Sequence, residues 1–108
     1  MAQIVLKQTL AALKGAVVSE TCPFNGKFTE GIIDFPLGCN ALVYVAVGHG
    51  SERLTPMTSY ISLDNTAFRF TAHKPIKVYD REKLWADMEN RDSANSHTIS
   101  VILTIEPI

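Results

Sequence analysis

The chain has 108 residues, of which 46% are hydrophobic and 19% charged, with ten basic side chains against eleven acidic ones. That length and mix suit one globular domain and exclude a disordered chain. A net charge of −1 excludes a strongly basic surface of the kind that holds nucleic acid or an anionic membrane.

Residues 3–14 fit two periods. Leu6, Leu10, Leu13 and Val17 recur at helical spacing, while Ile4 and Leu6 also allow a strand. The β character of the rest of the chain favours the strand. Lys7, Gln8 and Lys14 interrupt this stretch, unlike the apolar run of a signal peptide. No segment approaches the roughly 20 apolar residues of a membrane span, so membrane insertion is not expected.

Ala16–Phe24 leads into Asn25-Gly26, a strong hairpin signal, with residues 27–35 as the returning strand. Pro23 cannot donate to a ladder, which places the first arm at a sheet edge. The two cysteines, Cys22 and Cys39, lack the clustered spacing of a zinc or redox site and are expected to be reduced and buried. Pro36-Leu37-Gly38 then breaks the chain.

Residues 41–47 (ALVYVAV) are apolar on both faces, as in a strand buried between two layers or set against another subunit. A glycine-rich loop, 48–56, comes next. Over 57–72, a two-residue turn at Asp64-Asn65 pairs Leu63 with Thr66, Ile61 with Phe68, Ser59 with Phe70 and Met57 with Ala72. This hairpin predicts Met57, Ile61, Leu63, Phe68, Phe70 and Ala72 on the core face, with Tyr60 opposite Arg69 on the other.

His73-Lys74-Pro75 turns the chain into a short strand, Ile76–Tyr79. Asp80 can cap a helix over 81–90, whose Leu84, Trp85 and Met88 form one apolar stripe. After a polar loop, residues 97–105 alternate cleanly, with Ile99, Val101, Leu103 and Ile105 facing in. The expected fold is thus all-β: a single domain, 1–108, forming an antiparallel sandwich or jelly-roll-like small barrel of about seven to eight strands, with one short helix near residues 81–90.

The candidate chemistry is sparse. His49, His73 and His97 lie near strand ends and would bind metal only if one pole of the sandwich collected them, and no two stand at ligand spacing. Gly48-His49-Gly50-Ser51-Glu52 sets a histidine, a hydroxyl and a carboxylate close together, but without the Gly-x-Ser-x-Gly of a nucleophile elbow. Glu30 and Asp34 would share a strand face roughly 13 Å apart, too far for a glycosidase pair. Tyr60 with Arg69 offers a stacking platform or an interface anchor. Trp85 suits a plug beneath its helix.

No catalytic, metal or cofactor-binding residue is assigned, and no cofactor is expected. The leading expectation is a non-enzymatic structural protein, a coat, capsid-decoration or tail component of a virion. It would assemble with itself or a capsid-type lattice through Tyr60, Arg69, Tyr44, His49, Arg53 and Trp85. It would reside in the virion if viral and otherwise in the cytoplasm. The alternative is a small ligand-binding β-sandwich module, with carbohydrate the expected ligand, using Tyr60, Arg69 and the 48–56 loop, and the third is a small enzyme or metal site built on the histidines.

Overall fold

The computed structural model describes residues 2–108, apart from the side chains of His73 and Lys74. Among them are eight strands: β1 (Ala2–Leu10), β2 (Gly15–Thr21), β3 (Gly26–Phe35), β4 (Val43–His49), β5 (Glu52–Thr55), β6 (Thr66–Val78), β7 (Lys83–Asn90) and β8 (His97–Pro107). They form two four-stranded antiparallel sheets, in the orders β1-β8-β3-β6 and β2-β7-β4-β5. Only β4 and β5 are neighbours both in sequence and in a sheet. Every other connection between consecutive strands crosses from one sheet to the other.

Alternation along the strands supplies the core. Leu6, Leu10, Ile33, Phe35, Phe70, Ile99, Val101, Leu103 and Ile105 of the first sheet and Val43, Val45, Val47, Leu54, Leu84, Ala86 and Met88 of the second are all buried in one cluster. Each large side chain so buried contributes roughly 1.5–3 kcal/mol relative to exposure. Phe28 and Phe70 stack with ring centroids 5.6 Å apart, next to the bulge that shifts the β3 register between Phe28 and Glu30. Residues 3–10 lie in a strand, and the inward set expected for β8 is wholly buried.

The helix expected over 81–90 does not form; the segment is β7, an inner strand. Leu84, Trp85 and Met88 match a helical stripe, but Leu84, Ala86, Met88 and Asn90 match period two and all are buried. A lone helix has one docking face, whereas this strand gains two hydrogen-bonded neighbours, β2 and β4. Tertiary pairing outweighs the helical propensity of Glu, Lys, Leu and Met. Trp85 therefore turns outward and is not a core plug.

The 57–72 hairpin does not form either. Asp64-Asn65 do make a turn, with Asn65 left-handed at φ 49°, but the arm after it pairs with β3, from Phe35 against Thr66 to Glu30 against Thr71. Of the arm before it, Ile61 alone bridges, exchanging two 2.9 Å main-chain bonds with Val45 of β4. The Asp64 carboxylate accepts the N–H groups of Gly38 and Asn40, each at 3.0 Å, which ties the turn to the 36–40 loop. Met57 is consequently exposed, while Phe70 is buried and Ile61, Leu63, Phe68 and Ala72 are half-buried.

Asn25-Gly26 is likewise no hairpin, because β2 and β3 belong to different sheets. Neither residue is left-handed, as a tight hairpin turn would need. Gly26 instead pairs on both sides, with Val78 and Pro107. β2 does lie at a sheet edge, as Pro23 suggested. β6 runs through His73-Lys74-Pro75 without a break, so Ile76–Val78 is its end and not a separate strand. Cys22 and Cys39 are free and buried. Burial first, then the Asp64, Asp34 and Asp92 carboxylates, push the Cys39 thiol above its ordinary value.

The placement of β7 yields a direct test. Leu84→Ala is expected to destabilise the protein by about 2–5 kcal/mol, against about 0.5 kcal/mol or less for exposed Lys83→Ala. Urea denaturation midpoints read both.

Candidate functional site

Two regions carry most of the polar chemistry: the outer face of the β2-β7-β4-β5 sheet, and the pole where His49 ends β4. On the outer face, Tyr44, Ala46 and Gly48 of β4 stand beside Glu89, Asp87 and Trp85 of β7. The Arg91 guanidinium lies 4.0 Å from the Tyr44 ring centroid and 3.3 Å from the Glu89 carboxylate. The chain after β5 arches back over this face, and the Tyr60 hydroxyl donates to Asp87 Oδ2 at 3.0 Å. That bond raises the Tyr60 phenol above its ordinary value. Arg53 holds the arch by donating to the carbonyls of Pro56 and Ser59, with its guanidinium 5.7 Å from the Tyr60 ring centroid. The Trp85 indole N–H donates to the Gly50 carbonyl at 2.9 Å, and its ring lies where a β-carbon on Gly48 would be.

Four of the six residues singled out in the sequence, Tyr44, Arg53, Tyr60 and Trp85, therefore share one face. Arg69 does not join them. It lies on β6 in the opposite sheet, 3.8 Å from Glu30, an exposed pair worth little. The expected Tyr60–Arg69 pair is absent because its hairpin is. Ala46 and Gly48 are buried by the protein's own chain, so the two-sided apolarity of β4 is satisfied internally.

At the pole, His49 is the last inward residue of β4, with a side chain only 10% exposed. Its Nδ1 lies 2.7 Å from Glu82 Oε2, and the other Glu82 oxygen accepts the Tyr79 N–H at 2.9 Å. A carboxylate acceptor keeps the proton on Nδ1 and leaves Nε2 facing outward, 3.8 Å from Glu52. Gly50 makes room for the pair: it is left-handed at φ 52°, and a β-carbon there would sit 2.7 Å from Glu82 Oε2. A cleft of about 430 Å³ opens beside these groups, lined also by Ser51, Ile76, Lys77 and Tyr79. The arrangement can hydrogen-bond a hydroxylated ligand through Nε2 and the polar groups of the cleft. Among the described residues, no hydrogen bond joins Ser51 to His49, and no three His, Cys, Asp or Glu side chains are grouped for a metal.

His97 lies at the opposite pole, beside Leu10, so the histidines are not collected; the His73 side chain lies outside the described residues. The His97 ring Nε2 is 2.9 Å from Asp92 Oδ2, both buried. Asp92 also accepts the N–H groups of Ala94 and Asn95, and Asn90 donates to the carbonyls of Leu10, Ala11 and Asn95. This network closes the pole. Glu82, Asp87, Asn90 and Asp92 escaped the sequence reading because each acts on a residue brought close by pairing or a loop, and none is part of a recognisable motif.

Asp92 carries a pH signature. The Ala94 N–H first, then His97, hold its carboxyl down to about 2. A depressed folded-state value stabilises the fold above the unfolded carboxyl's range, about pH 4, and this is lost as pH falls towards 2. The stability gap between wild type and Asp92→Asn should therefore narrow between about pH 4 and pH 2, as read from urea midpoints across that range.

No protein-family model matches this sequence, and comparison with curated proteins returns no match.

Proposed function

We propose that this chain is a non-enzymatic structural protein that works through contacts between subunits, as a coat, capsid-decoration or tail component of a virion. The observation that carries the reading is the open lateral side formed by β1 and β2. Both are edge strands with unpaired main-chain groups; beside these edges Val5 and Val17 stand on the outer faces of the two sheets and Leu13 in the turn between them, 51%, 66% and 65% exposed. Inside that edge, Ile4, Ala16 and Val18 are only half-covered. Unpaired edges beside exposed apolar side chains are suited to pairing with another chain. The strand orders, with each sheet built from strands distant in sequence, support a jelly-roll connectivity of the kind found in viral coats and in lectins. That likeness adds weight by architecture alone.

A second reading, a carbohydrate-binding module, draws on the cleft at the His49 pole. There the exposed ring of Tyr79 stands next to polar groups from Ser51, Glu52 and Lys77, a pairing of apolar ring and hydrogen-bonding groups that suits a sugar. The site moves from Tyr60 and Arg69, which the fold separates, to Tyr79 and the 48–56 loop.

Light scattering over a concentration series tests the first reading. Assembly predicts species that are multiples of the 11.9 kDa chain; a protein that stays monomeric at the highest concentration, with no particle visible by electron microscopy, sinks it. The second predicts retention on immobilised glycans that Tyr79→Ala abolishes, and retention unchanged by that substitution removes this site.

A further inference from the structure

We infer that β2 is a self-complementary edge, which pairs antiparallel with β2 of a second copy about a two-fold axis through Val17. The inference rests on the assembly reading and assigns it one surface and one register.

Main-chain geometry leaves the right groups free. At one end of β2, the Lys14 carbonyl accepts from Asn90 N–H; past the other end, Cys22 exchanges bonds with Glu82 and Arg81. Bonding direction alternates along an antiparallel strand. The even-numbered residues Ala16, Val18 and Glu20 therefore also turn their groups towards β7. Gly15, Val17, Ser19 and Thr21 turn theirs to the open edge. A two-fold axis at Val17 sets Val17 opposite Val17 of the second copy, and Gly15 opposite Ser19. All of these are residues whose donors and acceptors point outward, so the two edges can exchange paired hydrogen bonds across the axis.

Side chains match in the same register, where residues whose numbers sum to 34 face one another. Val17, exposed in the free chain, meets its own copy on the outer face; Ala16 meets Val18 on the inner face, covering two half-exposed side chains. Lys14 meets Glu20, twice by symmetry, and both are exposed in the free chain. Opposite charges directly across a strand pair stabilise it, and like charges oppose it.

The other three edges lack this match. β1 carries Lys7 with no acid, β6 carries Arg69, Lys74 and Lys77 with no acid, and β5 has only four residues. No register of β1 or β6 paired with itself sets opposite charges across from one another. Only β2, taken with Lys14 immediately before it, has opposite charges equidistant from a central apolar residue, and no proline interrupts it. The pair would be an eight-stranded sheet running β5-β4-β7-β2 through the second copy's β2-β7-β4-β5.

Sedimentation equilibrium of the full chain tests the register. Wild type should show a reversible species of twice the 11.9 kDa mass. Lys14→Glu and Glu20→Lys each set like charges opposite one another at two places and should weaken the dimer about ten-fold or more. The double variant Lys14→Glu/Glu20→Lys restores opposite charges and should restore the dimer, which a general loss of stability would not do. Circular dichroism melts check that these exposed substitutions leave the fold intact. A protein monomeric at every concentration overturns the proposal, together with assembly if no particle forms. A dimer indifferent to both single reversals, or unrescued by the double one, overturns this register while leaving assembly through another surface standing.

Discussion

Both sheets depend on the last two strands of the chain. β8 lies between β1 and β3, and β7 between β2 and β4, so neither sheet has its middle until residues beyond 82 are in place. The ladders join distant residues: Ala2 pairs with Ile105, and Gly15 with Glu89. Loop-closure entropy opposes such contacts before they form, and only the joint burial of the inner faces offsets it. Ile99, Val101, Leu103 and Ile105 on β8, and Leu84, Ala86 and Met88 on β7, are the side chains whose burial closes the two layers on each other. Loss of either strand would leave its two neighbours with no strand between them.

The same distance explains which parts of the fold were legible. Alternation is a property of one strand, and so β8 and the all-β class could be read directly, whereas β3 is expected only as the second arm of a hairpin that does not form. Pairing is a property of two. Asn25-Gly26 and Asp64-Asn65 are local turn signals, and they imply local partners; the fold uses both to pass the chain elsewhere. Gly26 pairs with Val78 and Pro107, and Ile61 with Val45, none of which a short-range signal can name. The helical stripe in β7 failed for a related reason. Leu84 and Met88 fit both periods, and the choice between them is made by β2 and β4, far away in the sequence.

The candidate site divides in the same way. Tyr44, Arg53, Tyr60 and Trp85 could be picked out by residue type, and the fold does place them on one face. Their partners could not. Asp87 holds Tyr60 from 27 residues away, and Glu82 orients His49 from 33. The apolar outer face of β4 looked like an interface in the sequence, yet the Trp85 ring and the arch pinned through Tyr60 already lie over it. The lateral β1–β2 side carries less dense apolarity but is uncovered, and exposure is something only the assembled sheets reveal.

The two poles are built differently, and this makes the molecule directional. At the His97 pole, Asn90 alone donates to three carbonyls, and Asp92 accepts from two more main-chain groups. At the His49 pole, a cleft separates the end of β4 from the far half of β6. Local opening follows the weakest set of contacts. The sandwich should thus part from its cleft end, like a clasp hinged at the other. Amide hydrogens near residues 49–52 and 79–82 would exchange with solvent before those near 90–97, even though both sets belong to the same sheets and their connections.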